Sequence, residues 1–226
     1  PTTDVTLNQA GLHLAEAVLD NAVKATITQD DAAETATLHF PAKVSKGAHT
    51  LVITYSGPIL KTPNGIYVDD YTAPSGETKR MLVTQFEVAD ARRMFPGWDE
   101  PAFKATFQLN VTLPKEAVAV SNMPVTQSTA EGTSQKRVSF ATTPRMSTYL
   151  LALVAGQGEY ALHASEKILP YYNSYFGVKY PLPKMDMVAI PGNYQAGAME
   201  NWGLLTYIDN VLLFDPKNST PRTREL

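Results

Sequence analysis

The sequence predicts a mainly β protein, an antiparallel sandwich or saddle over residues 1–156, followed from residue 157 by the beginning of a mixed α/β unit. Three observations carry this. In "FKATFQLNVTLP", Phe103, Ala105, Phe107, Leu109, Val111 and Leu113 alternate with polar residues, which is the period of a half-buried strand. Six further β-rich runs precede Gly158: "ATLHFPA", "HTLVITYSG", "KRMLVTQFE", "EAVAVSN", "KRVSFATT" and "STYLLALVAG". Their connectors are short and polar, such as "TPNG", "APSGE" and "AEGTS", as expected of an antiparallel all-β layer structure.

After Gly158 the texture changes. "EYALHASEKILPYYNSYFG" spaces Leu162, Ile168, Leu169, Tyr172 and Phe176 on a helical period, with Pro170 as a kink or break. "KMDMVAIPG" and "GLLTYID" return to strand, and Thr220-Pro221 has the pattern of an N-cap and first helical residue. No period of repeat-protein length recurs.

Composition narrows the function classes. The chain has 226 residues, a formal charge of -3, 18% charged residues and no cysteine. Basic residues are scattered, so nothing resembles a footprint for nucleic acid or an anionic membrane, and neither is expected as a partner. Disulfides and thiolate metal sites are excluded. The N-terminus lacks a signal-peptide pattern and no apolar run approaches a spanning helix, so a soluble chain is expected, with cytoplasm, periplasm and secretion all open.

No complete catalytic constellation can be written. His13, His39, His49 and His163 lie in separate segments without the i, i+4 spacing of a helical metal site. "GPILKTPNG" is no phosphate loop, and no serine sits in a nucleophile elbow. Against that background "GAMEN" stands out. Gly197 and Ala198 are small enough for another backbone to approach, and the segment after them is expected to offer an open edge to an extended peptide. Glu200 then places a fixed charge beside the peptide's end, suited to an α-ammonium of reference pKa about 7.7 to 8.0. The plainer reading of Glu200 as a solvated turn residue, with Trp202 as packing, stands beside it.

"GAMENWG" at Gly197 to Gly203 resembles the exopeptidase motif of the zinc aminopeptidases related to aminopeptidase N and puromycin-sensitive aminopeptidase. "TQFEVADARRMFPGWDEPAFKATF" resembles that family's upstream landmark, and "NGIYVDDY", "TTPRMSTYLLALVAG" and "ILPYYNSYFGVKYPLPKMDMVAIP" agree in the family's order. The resemblance implies a β-rich N-terminal domain joined to the start of a thermolysin-like catalytic domain. It implies that Glu200 binds a substrate's free N-terminal amine, that Glu87 reaches the same amine or the first side-chain pocket with Gln85 beside it, that Gly197 and Ala198 offer backbone groups, and that Met199 and Asn201 shape the pocket and hold the loop. Asp90, Arg92 and Arg93 are expected to form a buried ion-pair network pinning the Glu87 loop rather than to be substrate ligands, and Trp98 to Pro101 to serve as turn and packing residues.

Three departures limit the resemblance. The family's H-E-x-x-H zinc helix, its downstream glutamate and its oxyanion-stabilising tyrosine would lie past Leu226, so zinc is expected in the intact enzyme, whose partners are peptides with a free N-terminus and the rest of the catalytic domain. The chain by itself is expected to be inactive. Only "QGE" stands where the family carries a longer segment between "LLALVAG" and "YALHASEKILP", and the first domain is expected to lack its opening strands. Gly97 replaces a cysteine common in the family. A non-catalytic peptide-binding module and a metal-free pseudoenzyme are the alternatives.

Overall fold

A computed structural model describes residues 1–73, 75–156, 173–191, 194 and 197–212. Its strands form five sheets. The first two come from β1 (Thr2–Asn8), β2 (His13–Leu19), β3 (Val23–Lys24), β4 (Thr26–Asp30), β5 (Thr35–Val44) and β6 (Leu51–Ser56), in the orders β1-β5-β4 and β3-β2-β6. They close over Leu7, Leu12, Leu14, Ala17, Leu38 and Phe40. Alternation supplies those residues, because in β5 Ala36, Leu38 and Phe40 are buried while Thr37 and His39 between them are more open. The three-residue β2–β3 connection places Asp20 and Asn21 at φ 50° and 57°, a left-handed pair that short polar side chains tolerate, inside a turn closed by Ala22 N–H to the Leu19 carbonyl.

The centre is a four-stranded sheet of order β10-β13-β8-β7, made of β7 (Gly65–Thr72), β8 (Thr78–Gln85), β10 (Val118–Ser121) and β13 (Leu153–Gly156). Both of its faces are covered. Leu82, Leu153 and Ala155 face a third layer, β11-β12-β9, formed by β9 (Asn110–Pro114), β11 (Val125–Glu131) and β12 (Gln135–Phe140). On the opposite face Tyr67, Tyr71, Met81, Val83 and Val154 pack against Val188, Ile190, Tyr194, Met199 and Leu204. That second core joins the β-rich part to the segment after residue 157, and each large apolar side chain enclosed there contributes roughly 1.5–3 kcal/mol. The partner sheet is β14 (Asp186–Ile190), β15 (Ala198–Met199) and β16 (Leu204–Ile208), ordered β14-β16-β15. A short helix α1 (Asp209–Leu212) follows. The content is mainly β, as the alternation and the resemblance both imply.

Four expectations are revised or fall elsewhere. The long strand starting at Phe103 begins only at β9, Asn110. Its partner β12 ends at Phe140, and beyond it Pro144 interrupts "ATTPRM"; Ala105 and Met146 form one isolated bridge, while Phe103 is 53% exposed with its ring 6.3 Å from that of Trp98. Period two marks a chain able to be a strand, but a ladder needs a partner with donors, which proline lacks. Likewise "STYLLALVAG" is strand only from Leu153, with Thr148–Leu150 a 3-10 turn. The helical reading of "EYALHASEKILPYYNSYFG" falls mostly outside the described residues, of which 173–176 are helical, and the helix start at Thr220 falls outside them altogether.

Candidate functional site

The site lies where the central sheet meets the β14-β16-β15 sheet. Residues β14 and β16 are parallel neighbours, Ala189 opposite Tyr207, and β15 adds antiparallel to the far side of β16 with Ala198 opposite Tyr207 and Met199 opposite Thr206. The strand after "GAMEN" is therefore the middle of its sheet, not an edge. Among the described residues β15, Ala198–Met199, is the outer strand on the motif's side, so a guest strand would add beside the motif rather than along the strand that follows it.

The motif's residues divide by burial. Ala198 and Glu200 are exposed, while Met199 is 2% and Asn201 3% exposed. Met199 sits in the shared core, so its side chain holds the loop down and leaves only backbone to offer. Gly197 has φ +70°, and apart from its chain neighbours no atom of the described residues lies within 4 Å of where its Cβ would stand. Close approach occurs instead at Gly203, φ +75°, where a Cβ would stand 2.1 Å from the Asn122 carbonyl oxygen.

Asn122 explains that contact. It is 1% exposed, and its Nδ2 donates to the carbonyls of Leu150 (2.7 Å) and Trp202 (2.8 Å) while its Oδ1 accepts from Ala152 N–H (2.9 Å). Beside it the Lys184 ammonium donates to the carbonyls of Ser121 (2.6 Å) and Gly203 (2.7 Å) and pairs with Asp186 at 2.7 Å. Burial pulls the Lys184 pKa down, and the Asp186 contact offsets part of that. The turn after Glu200 is thus riveted to the β-rich domain by neutral amides and one half-buried cation.

From the other side, β8 ends at Gln85, 7% exposed, and Glu87 follows it on the surface. Tyr194, 1% exposed, bridges the two sides: its hydroxyl donates to Gln85 Oε1 at 2.8 Å and lies 2.8 Å from Thr206 Oγ1. Burial pushes the Tyr194 pKa up to about 12; the Thr206 hydrogen bond works against that, and the charges of Glu87 and then Glu200 add to it. Both carboxylates therefore lie within electrostatic reach of one phenol, although they come from residues more than a hundred positions apart. Neither has an ion-pair partner among the described residues. The Tyr67 hydroxyl beneath them is the one enclosed side-chain polar atom without a hydrogen bond among the described residues, and burial first, then the Tyr194 and Asp69 charges, raise its pKa.

The neighbouring loop is held differently. Arg92 pairs with Asp99 (3.2 Å) and Glu34 (3.3 Å), and Arg93 with Asp90 (2.7 Å) and Glu34 (3.2 Å). Asp99 is buried and also accepts from the Thr148 hydroxyl at 2.6 Å. The network expected of Asp90, Arg92 and Arg93 is present but buried only at Asp99, with Glu34 and Arg93 about a third exposed, and Glu34 and Asp99 are members that sequence spacing does not announce. Trp98 is 55% exposed, its Nε1 donating to the Thr6 carbonyl at 3.0 Å.

Among the described residues no group of three or more His, Cys, Asp or Glu side chains could hold a metal ion. A resident zinc does not fit the side chains described.

Comparison with known proteins settles the family. The Peptidase M1 N-terminal domain matches residues 1–150 and the Peptidase family M1 domain matches residues 160–226. This chain belongs to the peptidase M1 family. It is 88% identical to "Aminopeptidase N" of Acetobacter pasteurianus across the whole chain, covering 70% of that protein, in an alignment of 250 positions against the 226 residues present here. It is 40% identical to "Aminopeptidase M1-A" of Oryza sativa subsp. japonica, again over the whole chain but only 29% of the relative's length. Against "Endoplasmic reticulum aminopeptidase 1" of Homo sapiens it is 38% identical over 78% of the chain and 21% of the relative. The chain thus spans less than a third of the length of the longer M1 relatives. M1 proteins are metallopeptidases, and this chain carries their mainly β N-terminal domain and the start of the M1 domain. Among the described residues no helix is long and apolar enough to cross a membrane.

Tyr194, Thr206 and Asn122 were not singled out by sequence reasoning. Tyr194 lies only three residues before Gly197, but nothing in "GNYQ" marks its ring as the bridge to a strand of the other domain.

Proposed function

We propose that the intact protein is a zinc-dependent aminopeptidase removing N-terminal residues from peptides, and that this portion supplies its amine-reading anchor. The 1–156 domain contributes Gln85 and Glu87, and the 157–226 segment contributes Gly197, Ala198, Met199, Glu200 and Asn201. The observation that carries the reading is that the Tyr194 hydroxyl joins Gln85 to Thr206, which ties the strand end before the exposed Glu87 to the sheet in which Met199, beside the exposed Glu200, lies opposite Thr206; neither carboxylate has an ion-pair partner among the described residues. A peptide lying against Ala198–Met199 brings its chain end to Glu200. Its ammonium then meets two negative charges, whereas an internal peptide segment offers no cation and leaves them unpaired. That difference favours exopeptidase over endopeptidase action. Zinc and the groups that activate water belong, on the family resemblance, downstream of residue 226.

The test is Glu200→Ala in the full-length protein with an aminoacyl anilide. Hydrolysis should fall by about 2–4 kcal/mol in transition-state terms, that is about 30- to 1000-fold. Affinity for free-amine substrates should also weaken above about pH 8, as the ammonium loses its proton. Full turnover by a folded variant removes the anchor role, and no turnover of any peptide by the intact wild-type protein favours a binding module.

A further inference from the structure

A second cleft, of about 650 Å³ and open to solvent, is bordered by Phe95, Trp98, Phe103, Phe107, Lys104 and Arg145. Its size is that of a small-molecule site. Phe95 packs edge-on against Phe86, ring centres 6.3 Å apart, and against Phe107 at 6.1 Å, so two of the aromatic walls are fixed from behind. Trp98 and Phe103 are the open ones, 55% and 53% exposed with their rings 6.3 Å apart. Trp98 was expected to be a packing residue, yet more than half of it faces water. Its Nε1 donates to the Thr6 carbonyl at 3.0 Å, which spends the one donor of the indole and leaves its ring to a guest.

The polar part of the cleft has one sign. Arg145 donates from Nε to the Lys104 carbonyl at 3.1 Å, which keeps the two cationic residues side by side. Neither has an ion-pair partner among the described residues. No acidic side chain lines the cleft, and Asp99, bonded to the lining Thr148, is already paired with Arg92. Because the Thr148 hydroxyl gives its proton to Asp99 at 2.6 Å, the side-chain donors left to a guest are the Lys104 ammonium and the Nη groups of Arg145. A cation entering here would meet two like charges.

We infer that this cleft binds a small aromatic carboxylate, its ring against Trp98 and Phe103 and its carboxylate on Lys104 and Arg145. The guanidinium supplies directed N–H donors and the ammonium a point charge. A free amino acid is disfavoured, since its own ammonium is repelled. The cleft is therefore opposite in charge preference to the Glu87 and Glu200 pair, and a ligand that carries a carboxylate and no ammonium uses it alone.

The experiment titrates the full-length protein by ligand-detected NMR with N-acetylphenylalanine, which has the ring and the carboxylate but no ammonium, and with the neutral amide of the same compound. The acid should bind with a dissociation constant of about 1 mM or tighter, and the amide about tenfold more weakly. Lys104→Gln should weaken the acid about three- to tenfold while leaving the Arg145 bond in place, because the acceptor of that bond is the Lys104 backbone carbonyl. Adding Arg145→Gln should bring the loss beyond about tenfold, and Phe103→Ala should weaken acid and amide alike. Glu200→Ala should bind the acid as the wild type does. Equal binding of acid and amide by the wild type, or wild-type binding by Lys104→Gln and the double variant, overturns the proposal. Loss of binding in Glu200→Ala would put the ligand at the anchor and overturn it too. No binding up to about 10 mM is equally fatal, and a lower melting temperature of the double variant would then show that another part of the chain fills the cleft.

Discussion

Two loops border the site, and they are pinned by opposite means. The one after Glu87 is tied by ion pairs among Arg92, Arg93, Glu34, Asp90 and Asp99. The one carrying Glu200 is tied by amides and hydroxyls, chiefly Asn122, Thr206 and Tyr194, with Lys184 underneath. The difference has a chemical sense. Charges that fix a scaffold must be satisfied by one another, and in the arginine cluster every carboxylate has a cation. A carboxylate meant for a guest must keep its valence free, and the Glu200 turn is held by neutral hydrogen bonds and by a Lys184 ammonium already paired with Asp186, with no ion-pair partner for Glu200 among the described residues. One loop uses charge as structure, and the other keeps charge in reserve.

The largest effect expected from breaking this contrast is on the arginine side. Asp99→Ala leaves Arg92, 15% exposed at its side chain, with Glu34 as its one remaining carboxylate among the described residues and takes the acceptor from the Arg92 N–H and the Thr148 hydroxyl; a loss of about 3–5 kcal/mol in denaturant unfolding is expected, with KM of surviving enzyme near normal. Gly203→Ala comes next. Its Cβ would collide with the Asn122 carbonyl in a left-handed conformation, costing about 2–4 kcal/mol and, unlike Asp99→Ala, raising KM because Glu200 moves with the turn. Asn122→Ala should cost about 1–3 kcal/mol through the Leu150 and Trp202 carbonyls and the Ala152 N–H it leaves unsatisfied, again with a higher KM. If both seam variants melted early yet kept wild-type KM, the claim that neutral bonds place Glu200 would fail.

The smallest effect lies far from the site. His49 is held above its ordinary 6.5 first by its Asp20 hydrogen bond, and Asp20 is held below 3.8 first by the Thr50 N–H, then by His49. The raised histidine contributes stability that is present below 6.5 and fades as pH climbs through its folded value. The lowered aspartate contributes stability present above 3.8 and fades as pH drops through its own. The β2–β3 hairpin should therefore be best protected from hydrogen exchange between about pH 4 and 6.5, and less so on either side. His49→Ala should flatten the upper limb and leave the active site untouched.

Several features were legible in the chain itself. Alternation in "ATLHFPA", "KRMLVTQFE" and "KRVSFATT" marks β5, β8 and β12, since period two is a local property of the pleat. The position of Glu200 among small residues and the wealth of charge in "DARRMFPGWDE" are local too. Others were not legible. "FKATFQLNVTLP" alternates over its whole length but is laddered only where β12 faces it, and "GLLTYID" looks like an edge but is the centre of its sheet, because which strand lies beside which is a matter of pairing between distant segments.

Residue types and their order determined the β character, the domain family and the identity of the two carboxylates. Tertiary structure alone decided that the Tyr194 hydroxyl meets Gln85 and Thr206, that Met199 is buried in the core shared by the two sheets, and that Asn122 and Lys184 hold the turn after Glu200. The reason is physical: hydrogen-bond direction and electrostatic proximity depend on what packing brings within a few ångströms, and a linear pattern carries no term for that distance.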